Sequence, residues 1–207
     1  MNQSQLEGAG LLLAMMEPPQ ILEAEFQDWY DTEHFPERAE TEGFLTARRF
    51  VCLDGWPRYL ALYDLTDVGV LHGEEYAKIA RERYSRWTNR IIPKTWGHYR
   101  AEGTQVYPGK ARLGAAGNAS RIMIWRFSDV ADPSGETIIG GLRDMFEDLP
   151  ETAQTRIFSS KREDATDYLG IIELYAPVAL RPGAVAALGE ARRHLDMVNT
   201  YTPYFKS

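Results

Sequence analysis

The feature that most constrains the fold of this chain is an internal duplication with a period of about one hundred residues. The apolar run 11–16 has a counterpart in 122–127, and a helical segment follows each run. Two further strand-like segments match in the same order, 44–51 with 152–159 and 58–65 with 167–174. Such a period is too long for a solenoid repeat, so the sequence predicts two copies of one small domain.

The first copy reads as strand, helix, strand, strand, helix, strand. Residues 21–33 carry apolar and aromatic residues at helical spacing, and Pro36 is expected to end this helix. The pair Asp54-Gly55 predicts the turn of an antiparallel hairpin. A second amphipathic helix is predicted over 74–92 and a fourth strand over 97–106. This βαββαβ order is that of the ferredoxin-like unit, so we predict an α+β fold.

The predicted organisation is a first repeat over 1–108, a linker of small and turn-forming residues over 109–119, and a second repeat over 120–207. Helices cover one face of a four-stranded ferredoxin-like sheet, and the opposite face must also be buried. We therefore expect the two antiparallel sheets to face each other as an α/β barrel. The tail 199–205 is predicted either as a terminal strand or as an arm packed on the other copy.

Composition limits the class of function. The 207 residues, 44% hydrophobic and 26% charged, are typical of a globular protein. Thirty acidic and 23 basic residues give a net charge of −7, which argues against nucleic-acid binding because phosphate neutralisation needs a basic face. The single Cys52 excludes an internal disulfide, and the apolar run 11–16 is too short to span a bilayer. We expect a cytoplasmic protein that binds neither nucleic acid nor membrane, with a homodimer left open.

Side-chain alternation along the third strand suggests where a ligand would bind. It places the aliphatic Leu60 and Leu62 on one face, which we expect to pack on the helices. The opposite face carries Tyr59, Ala61 and Tyr63. We expect this mixed face, with either Arg48 or Arg49, to line the space between the sheets. A pocket of this kind suits an organic ligand with an apolar body and a polar group.

Residues 26–38 (FQDWYDTEHFPER) and 42–50 (EGFLTARRF) carry an aromatic helix, a Glu-His-x-Pro ending and a Gly-Phe entry to the second strand. In these motifs the first copy resembles the EthD-like branch of the dimeric α/β-barrel superfamily. The second copy shares only the architecture, because it lacks the Glu-His-x-Pro motif. The resemblance implies a barrel with an internal pocket, and cofactor-independent isomerase, cyclase, dehydratase or decarboxylase chemistry on small aromatic or lactone compounds. It also covers haem-binding relatives, so it determines the fold better than the chemistry.

Three residues are candidates for catalysis. Tyr30 and His34 are spaced i, i+4 and therefore share a helix face. A histidine with an ordinary pKa near 6.5 both donates and accepts protons at neutral pH. The alternative is that His34 caps the helix end, where the helix dipole favours a charged imidazole. His98 is the third candidate, because the fourth strand is expected to lie beside the first; the alternative is a surface histidine.

Candidate substrate-binding residues are aromatic or carry a guanidinium group. Flat rings offer large apolar area at small entropic cost, although such residues more often belong to the core. An arginine can anchor a carboxylate through two hydrogen bonds, but only one of two adjacent arginines can face the pocket. The predicted set is Trp29, Arg49, Tyr59, Tyr63 and Trp87.

The sequence contains no P-loop, Gly-x-Gly-x-x-Gly or Gly-x-Ser-x-Gly motif, and its four histidines lack metal-ligand spacing. We therefore expect no cofactor and no metal. The leading hypothesis is a cofactor-independent lyase, isomerase or decarboxylase acting on a small aromatic, lactone or polyketide-like compound, with His34 transferring a proton. Two alternatives stay open: a non-catalytic ligand-binding or interaction barrel, and a haem protein with His34 or His98 as axial ligand. We expect the deepest pocket to belong chiefly to the first copy.

Overall fold

The computed structural model describes residues 9–80, 83–114, 118–130, 134–162, 164–180 and 183–205. Parts of the predicted linker and both chain ends lie outside these residues, and the predicted repeat boundaries stay a prediction. The strands are β1 Gly10–Glu17, β2 Phe44–Asp54, β3 Tyr59–Leu65, β4 Trp96–Tyr107, β5 Arg121–Val130, β6 Thr152–Lys161, β7 Thr166–Leu174 and β8 Leu195–Pro203. The helices are α1 Glu23–Trp29, α2 Phe35–Ala39, α3 Glu74–Ala77, α4 Arg86–Ile91 and α5 Ser134–Phe146, and 3₁₀ segments cover Gln20–Leu22, Val68–His72, Ile92–Lys94 and Ala184–His194.

The strands form one closed antiparallel barrel in the order β1-β3-β2-β8-β5-β7-β6-β4. Each half has the same internal order, β4-β1-β3-β2 in the first and β8-β5-β7-β6 in the second. The halves join at two seams, where β2 pairs with β8 and β4 pairs with β6. This confirms the predicted α+β fold of two ferredoxin-like sheets that face each other. Both predictions for the tail are met, because β8 completes the second sheet and also pairs with the first.

Aliphatic side chains from both halves fill the barrel. Leu60 and Leu62 point inward and pack in one cluster with Leu13, Ile124, Phe158 and Ile171. Tyr59, Ala61 and Tyr63 point outward to the helices. The predicted assignment of the two β3 faces is therefore wrong. Both faces of each sheet are buried, so polarity does not distinguish them, and an eight-stranded barrel is only wide enough to be filled by side chains.

A buried ion pair crosses the barrel and links the two copies. The Nη1 atom of Arg156, a residue with no exposed surface, donates to Oδ1 of Asp64 at 2.6 Å. Its Nε lies 3.5 Å from Oε1 of Glu173. The backbone N–H groups of Leu113 and Gly114 donate to Asp64 and Glu173 at 2.6 and 2.8 Å. Leu113 and Gly114, in the described part of the segment between the repeats, thereby cover this end of the barrel.

The helices differ from the predicted ones in two places. Pro36 does not end the first helix, which continues through α2 to Ala39, because proline fits the first turn of a helical segment. The helix predicted over 74–92 is interrupted. The Ser85 hydroxyl accepts from the Thr88 N–H at 2.9 Å and starts α4 as a new N-cap. In the described residues no helix is long and apolar enough to cross a bilayer.

Candidate active site

A π-helical turn over Tyr30–His34 joins α1 to α2 and positions the two residues that the sequence singles out. The Phe35 N–H donates to the Tyr30 carbonyl, five residues earlier. The rings of Tyr30 and His34 meet edge to face with centroids 5.1 Å apart, and the imidazole lies 4.2 Å from the Trp29 ring. Single π-helical turns inside α-helices occur frequently at functional sites.

A cavity of about 120 Å³ lies between this helix and the outer face of the first sheet. Its lining includes all three predicted catalytic residues, Tyr30, His34 and His98, together with Tyr63. The cavity is outside the barrel, and the predicted location between the two sheets is wrong because side chains fill that space. Ala14 on β1 forms part of its floor.

His34 is neutral at physiological pH. The residue is only 6% exposed, and its Nδ1 atom has no hydrogen-bond partner among the described residues. Burial, and then the charges of Arg38 and Arg49, lower the pKa of His34 well below 6.5. The helix continues past His34, so the alternative of a charged capping imidazole does not hold. The neutral ring offers one nitrogen that can accept a proton.

Tyr30 and Tyr63, two of the tyrosines that line the cavity, stay protonated. Tyr63 is 1% exposed, and its hydroxyl lies beside that of Tyr30. Burial, followed by the neighbouring Tyr30, raises the pKa of Tyr63 well above 10. Burial also raises the pKa of Tyr30. Both phenols are therefore available as hydrogen-bond donors near the imidazole.

Arg38 is a pocket residue that sequence reasoning missed. Its side chain lines the cavity and is 3% exposed as a residue, and Nη1 donates to the His34 carbonyl at 2.9 Å. The i, i+4 spacing between His34 and Arg38 was a usable signal. This signal was missed because the helix was expected to end at Pro36, which places Arg38 beyond the helix.

Arg49 is occupied by other contacts. Its guanidinium bonds to Asp31 and, at 2.6 Å, to Gln27. It also lies between the rings of Tyr30 and Tyr204, with its Cζ 4.1 and 4.2 Å from their centroids. Arg49 therefore holds the C-terminal segment against the helix and does not line the 120 Å³ cavity.

Three other predicted binding residues also lie away from this cavity. The Tyr59 hydroxyl donates to Glu23, and the Trp29 indole donates to Thr88 at 3.0 Å. Trp87 packs against the cluster of side chains under the helices. The core interpretation describes their surroundings better than the predicted aromatic wall. His98 lies at the exposed rim, where its Nε2 is 2.8 Å from both oxygens of Thr95.

The two copies differ at the position of the cavity. Ala14 pairs with Ala61 on β3, and Trp125 pairs with Gly170 on β7. Asp64 and Glu173 follow these partners by three residues, so Ala14 and Trp125 occupy equivalent places. The indole of Trp125 is buried where the first copy has only a methyl group. The second copy thus lacks an equivalent His34 pocket.

A larger concave space, however, is a groove of about 760 Å³ in the second copy, between α5 and the 3₁₀ segment Ala184–His194. The prediction that the deepest pocket belongs to the first copy is wrong by volume, because this segment packs as an irregular 3₁₀ helix that leaves a groove beside α5. Its titratable lining residues are Asp144 and Glu151. Histidine, tyrosine and arginine side chains line the smaller cavity of about 120 Å³ instead.

The fold has several solved counterparts of low sequence identity. An anthrone oxidase-like protein superposes with a TM-score of 0.70 and 13% identity, over 98% of this chain and 93% of that chain. A chlorite dismutase variant from Candidatus Nitrospira defluvii in complex with cyanide gives 0.59 and 10%, over 96% and 92%. A proposed monooxygenase from Lactobacillus acidophilus NCFM gives 0.53 and 7%, over 96% and 94%.

The chain has the dimeric α/β-barrel fold. Identities of this size support the fold alone. No family model matches the sequence, and no curated protein is significantly similar to it.

The buried neutral imidazole predicts a specific acid sensitivity. The pKa of His34 lies well below 6.5 in the folded protein, whereas the unfolded chain titrates near 6.5. Between these values the unfolded state binds more protons, so the free energy of unfolding falls as the pH drops through this window. His34→Gln should therefore lose less stability than wild type between pH 7 and pH 5 in urea denaturation. Equal losses in wild type and His34→Gln would contradict the assignment.

Filling the cavity from its floor should block it. Ala14→Leu adds roughly three carbon atoms to a space of about 120 Å³, at a packing cost of about 1 to 3 kcal/mol. We expect binding of a small aromatic probe, 4-nitrophenol, to fall at least about tenfold while the variant stays folded. Ala14→Gly is the matched control and should keep binding. Unchanged affinity in Ala14→Leu would place the binding site elsewhere.

Proposed function

We propose that this protein is a cofactor-independent enzyme that removes a proton from a small aromatic or enolisable compound, with His34 as the base. The observation that carries the proposal is a neutral imidazole, 94% buried, whose Nδ1 has no partner in the described part of the chain. A base must be unprotonated before it can act, and His34 meets that condition at neutral pH.

The surrounding groups suit this chemistry. The proton moves from the substrate to the imidazole, and the electron pair it leaves behind delocalises onto a substrate oxygen. Tyr63 and Tyr30 remain protonated and can donate hydrogen bonds to that oxygen. The lowered pKa of His34 opposes formation of the imidazolium, and the substrate anion formed in the same step offsets this cost.

The dimensions of the cavity indicate the size of the reacting group. About 120 Å³ is close to the roughly 150 Å³ cavity that holds benzene in a protein core, so one ring fits. A groove of about 510 Å³ shares Met15, His98 and Tyr99 with the cavity and can hold the rest of a larger molecule. We propose that His98 and Tyr99 contact this outer part of the substrate.

The EthD-like motifs of the first copy support the same assignment. In that branch proton-transfer chemistry without a cofactor is expected, and it covers lyase, isomerase and decarboxylase reactions. The proton abstraction is the proposed step, and the bond changes that follow it depend on which substrate is bound.

Haem binding, the second candidate, fits the described residues poorly. The cavity of about 120 Å³ is well below the roughly 300 to 1,000 Å³ of ordinary cofactor pockets. His98 Nε2 is already within 2.8 Å of the Thr95 oxygens. In the second copy, Trp125 and Phe146 fill the space under α5 that corresponds to the His34 cavity, and their ring centroids lie 5.7 Å apart. We derive no step through haem.

Hydrogen–deuterium exchange tests the proposed reaction class. Aromatic ketones and lactones with an exchangeable C–H bond are incubated with the protein in D₂O, and loss of the C–H signal is followed by NMR. We expect the folded protein to accelerate exchange for at least one compound, with heat-unfolded protein as the blank. A folded protein that binds these compounds without exchange would support the non-catalytic barrel.

A further inference from the structure

Three arginines lie at or near the His34 cavity, and two of them are committed to other partners. Arg49 bonds to Asp31 and Gln27. Arg100 bonds to Glu102, and its Nη2 lies 3.3 Å from the Tyr76 hydroxyl.

Arg38 makes one hydrogen bond in the described structure, from Nη1 to the His34 carbonyl. A guanidinium group has five N–H donors, so most of its capacity is unused.

The charge of Arg38 is also poorly neutralised. The nearest carboxylate in the described residues is Glu37, 3.7 Å from Nη1, beyond hydrogen-bond distance and at the exposed side of the helix. The other titratable groups that line the cavity are Tyr30, His34, Tyr63, Tyr76, Tyr84, His98, Tyr99 and Arg100. None of them is a carboxylate. Arg38, a residue that is 3% exposed, therefore has Glu37 as its ion-pair partner among the described residues and lines a cavity whose described lining holds no carboxylate, which is unfavourable unless a ligand supplies an anion.

We propose that Arg38 is the anion receptor of this site, and that the substrate is a weakly acidic phenol or enol whose oxygen binds to it as the anion. The inference rests on the proposed function, since His34 accepts the proton and Arg38 binds the anion that the same proton transfer produces.

The charges balance in this step. The O–H or C–H bond of the neutral substrate breaks, the proton forms a new N–H bond on the imidazole, and the electron pair stays on the substrate. Its oxygen becomes negative beside the Arg38 N–H groups, while the ring of His34 becomes positive. The net charge of the cavity does not change. Arg38 thus replaces the water that would otherwise solvate the oxyanion.

The probe for this inference is 4-nitrophenol, whose visible absorbance distinguishes phenol from phenolate. 4-Nitroanisole is the neutral control of similar shape. We expect wild-type protein to bind the phenolate in preference to the phenol, so that the bound probe ionises at a lower pH than it does in solution. A charge-assisted hydrogen bond contributes enough that Arg38→Met should weaken phenolate binding about 10- to 100-fold, with 4-nitroanisole changed by less than about twofold.

Two further variants separate the possible outcomes. Arg38→Lys keeps a point charge and should retain part of the phenolate preference, which also covers the case in which Arg38→Met does not fold. Arg143→Met removes an arginine on α5 of the second copy, one that bonds to Glu147 and lines neither the His34 cavity nor the adjoining groove, and should bind both probes as wild type does. A bound probe that stays neutral in wild type, or equal phenolate affinity in wild type and Arg38→Met, overturns the inference.

His34→Gln distinguishes this inference from the proposed function. Above the solution pKa of 4-nitrophenol the probe is already ionised and needs no base, so His34→Gln should keep a preference for the phenolate over 4-nitroanisole even where its absolute affinity changes. If His34→Gln keeps full exchange activity while Arg38→Met loses phenolate binding, the role of His34 fails and the anion receptor stands. If neither probe binds the wild-type protein, the receptor is wrong.

Discussion

Replacing Arg156 with methionine should lower the free energy of unfolding by about 3 to 5 kcal/mol, the usual cost of removing one partner from a buried ion pair. Arg156 has no exposed surface, and Asp64 and Glu173 are 3% and 2% exposed. The substitution leaves these carboxylates without their counter-ion, which a methionine of similar length cannot supply. For a chain of this size the melting temperature should fall by about 6 to 20 °C.

The control for this prediction is Arg126→Met. Arg126 is bonded to Asp196 at 2.8 Å, but both side chains are partly exposed, at 22% and 40%. Exposed pairs contribute about 0 to 1 kcal/mol, so this variant should melt close to wild type. Similar melting temperatures for Arg156→Met and wild type would show that the cross-barrel pair does not hold the two copies together.

The sequence predicts the architecture because its signals are local and occur twice. The strands β1, β2, β3 and β4 follow from apolar runs and from the Asp54-Gly55 turn, and the duplication implies that two sheets must cover each other. No local sequence pattern predicts the pairing of β8 with β2, because this pairing depends on how the two halves meet.

The face that each side chain occupies could not be predicted, because both faces of the sheets are buried. Alternation separates Leu60 and Leu62 from Tyr59 and Tyr63 correctly, but it does not show which set faces the helices. The candidate site therefore lies under the helix and not in the predicted space between the sheets. Tyr30, His34 and Tyr63 remain together because the helix packs on the outer face of β3.

The π-helical turn and Arg38 were missed for a related reason. A proline was expected to end the helix, yet Pro36 lies at the start of α2 and the helix continues. The turn that brings His34 toward Tyr30 and Tyr63 depends on tertiary packing as well as on propensity. Similarly, the sequence pattern predicts Arg48 or Arg49 as the arginine of the pocket. In the structure Arg49 is bonded to Asp31, and Arg38 lines the cavity.

His34→Gln should reduce the rate of substrate proton abstraction by about 10² to 10⁴, the usual contribution of a general base. Glutamine has a similar size and stays polar, so the cavity keeps its shape. An alanine substitution is a poorer test of His34. His34 is 94% buried and stacks on Trp29, so truncation would leave a void and lower stability as well. Melting curves establish that the glutamine variant is folded before its rate is measured.

The pH profile gives a second, independent test of His34. Its lowered pKa places the acid limb of kcat/KM below pH 6.5, where protonation removes the base. Activity should therefore stay flat from pH 7 upward until another group titrates, and fall only as the pH drops through the pKa of His34. The limb should disappear in His34→Gln and persist in His72→Gln. An acid limb that survives in His34→Gln would assign the base to another group of the cavity.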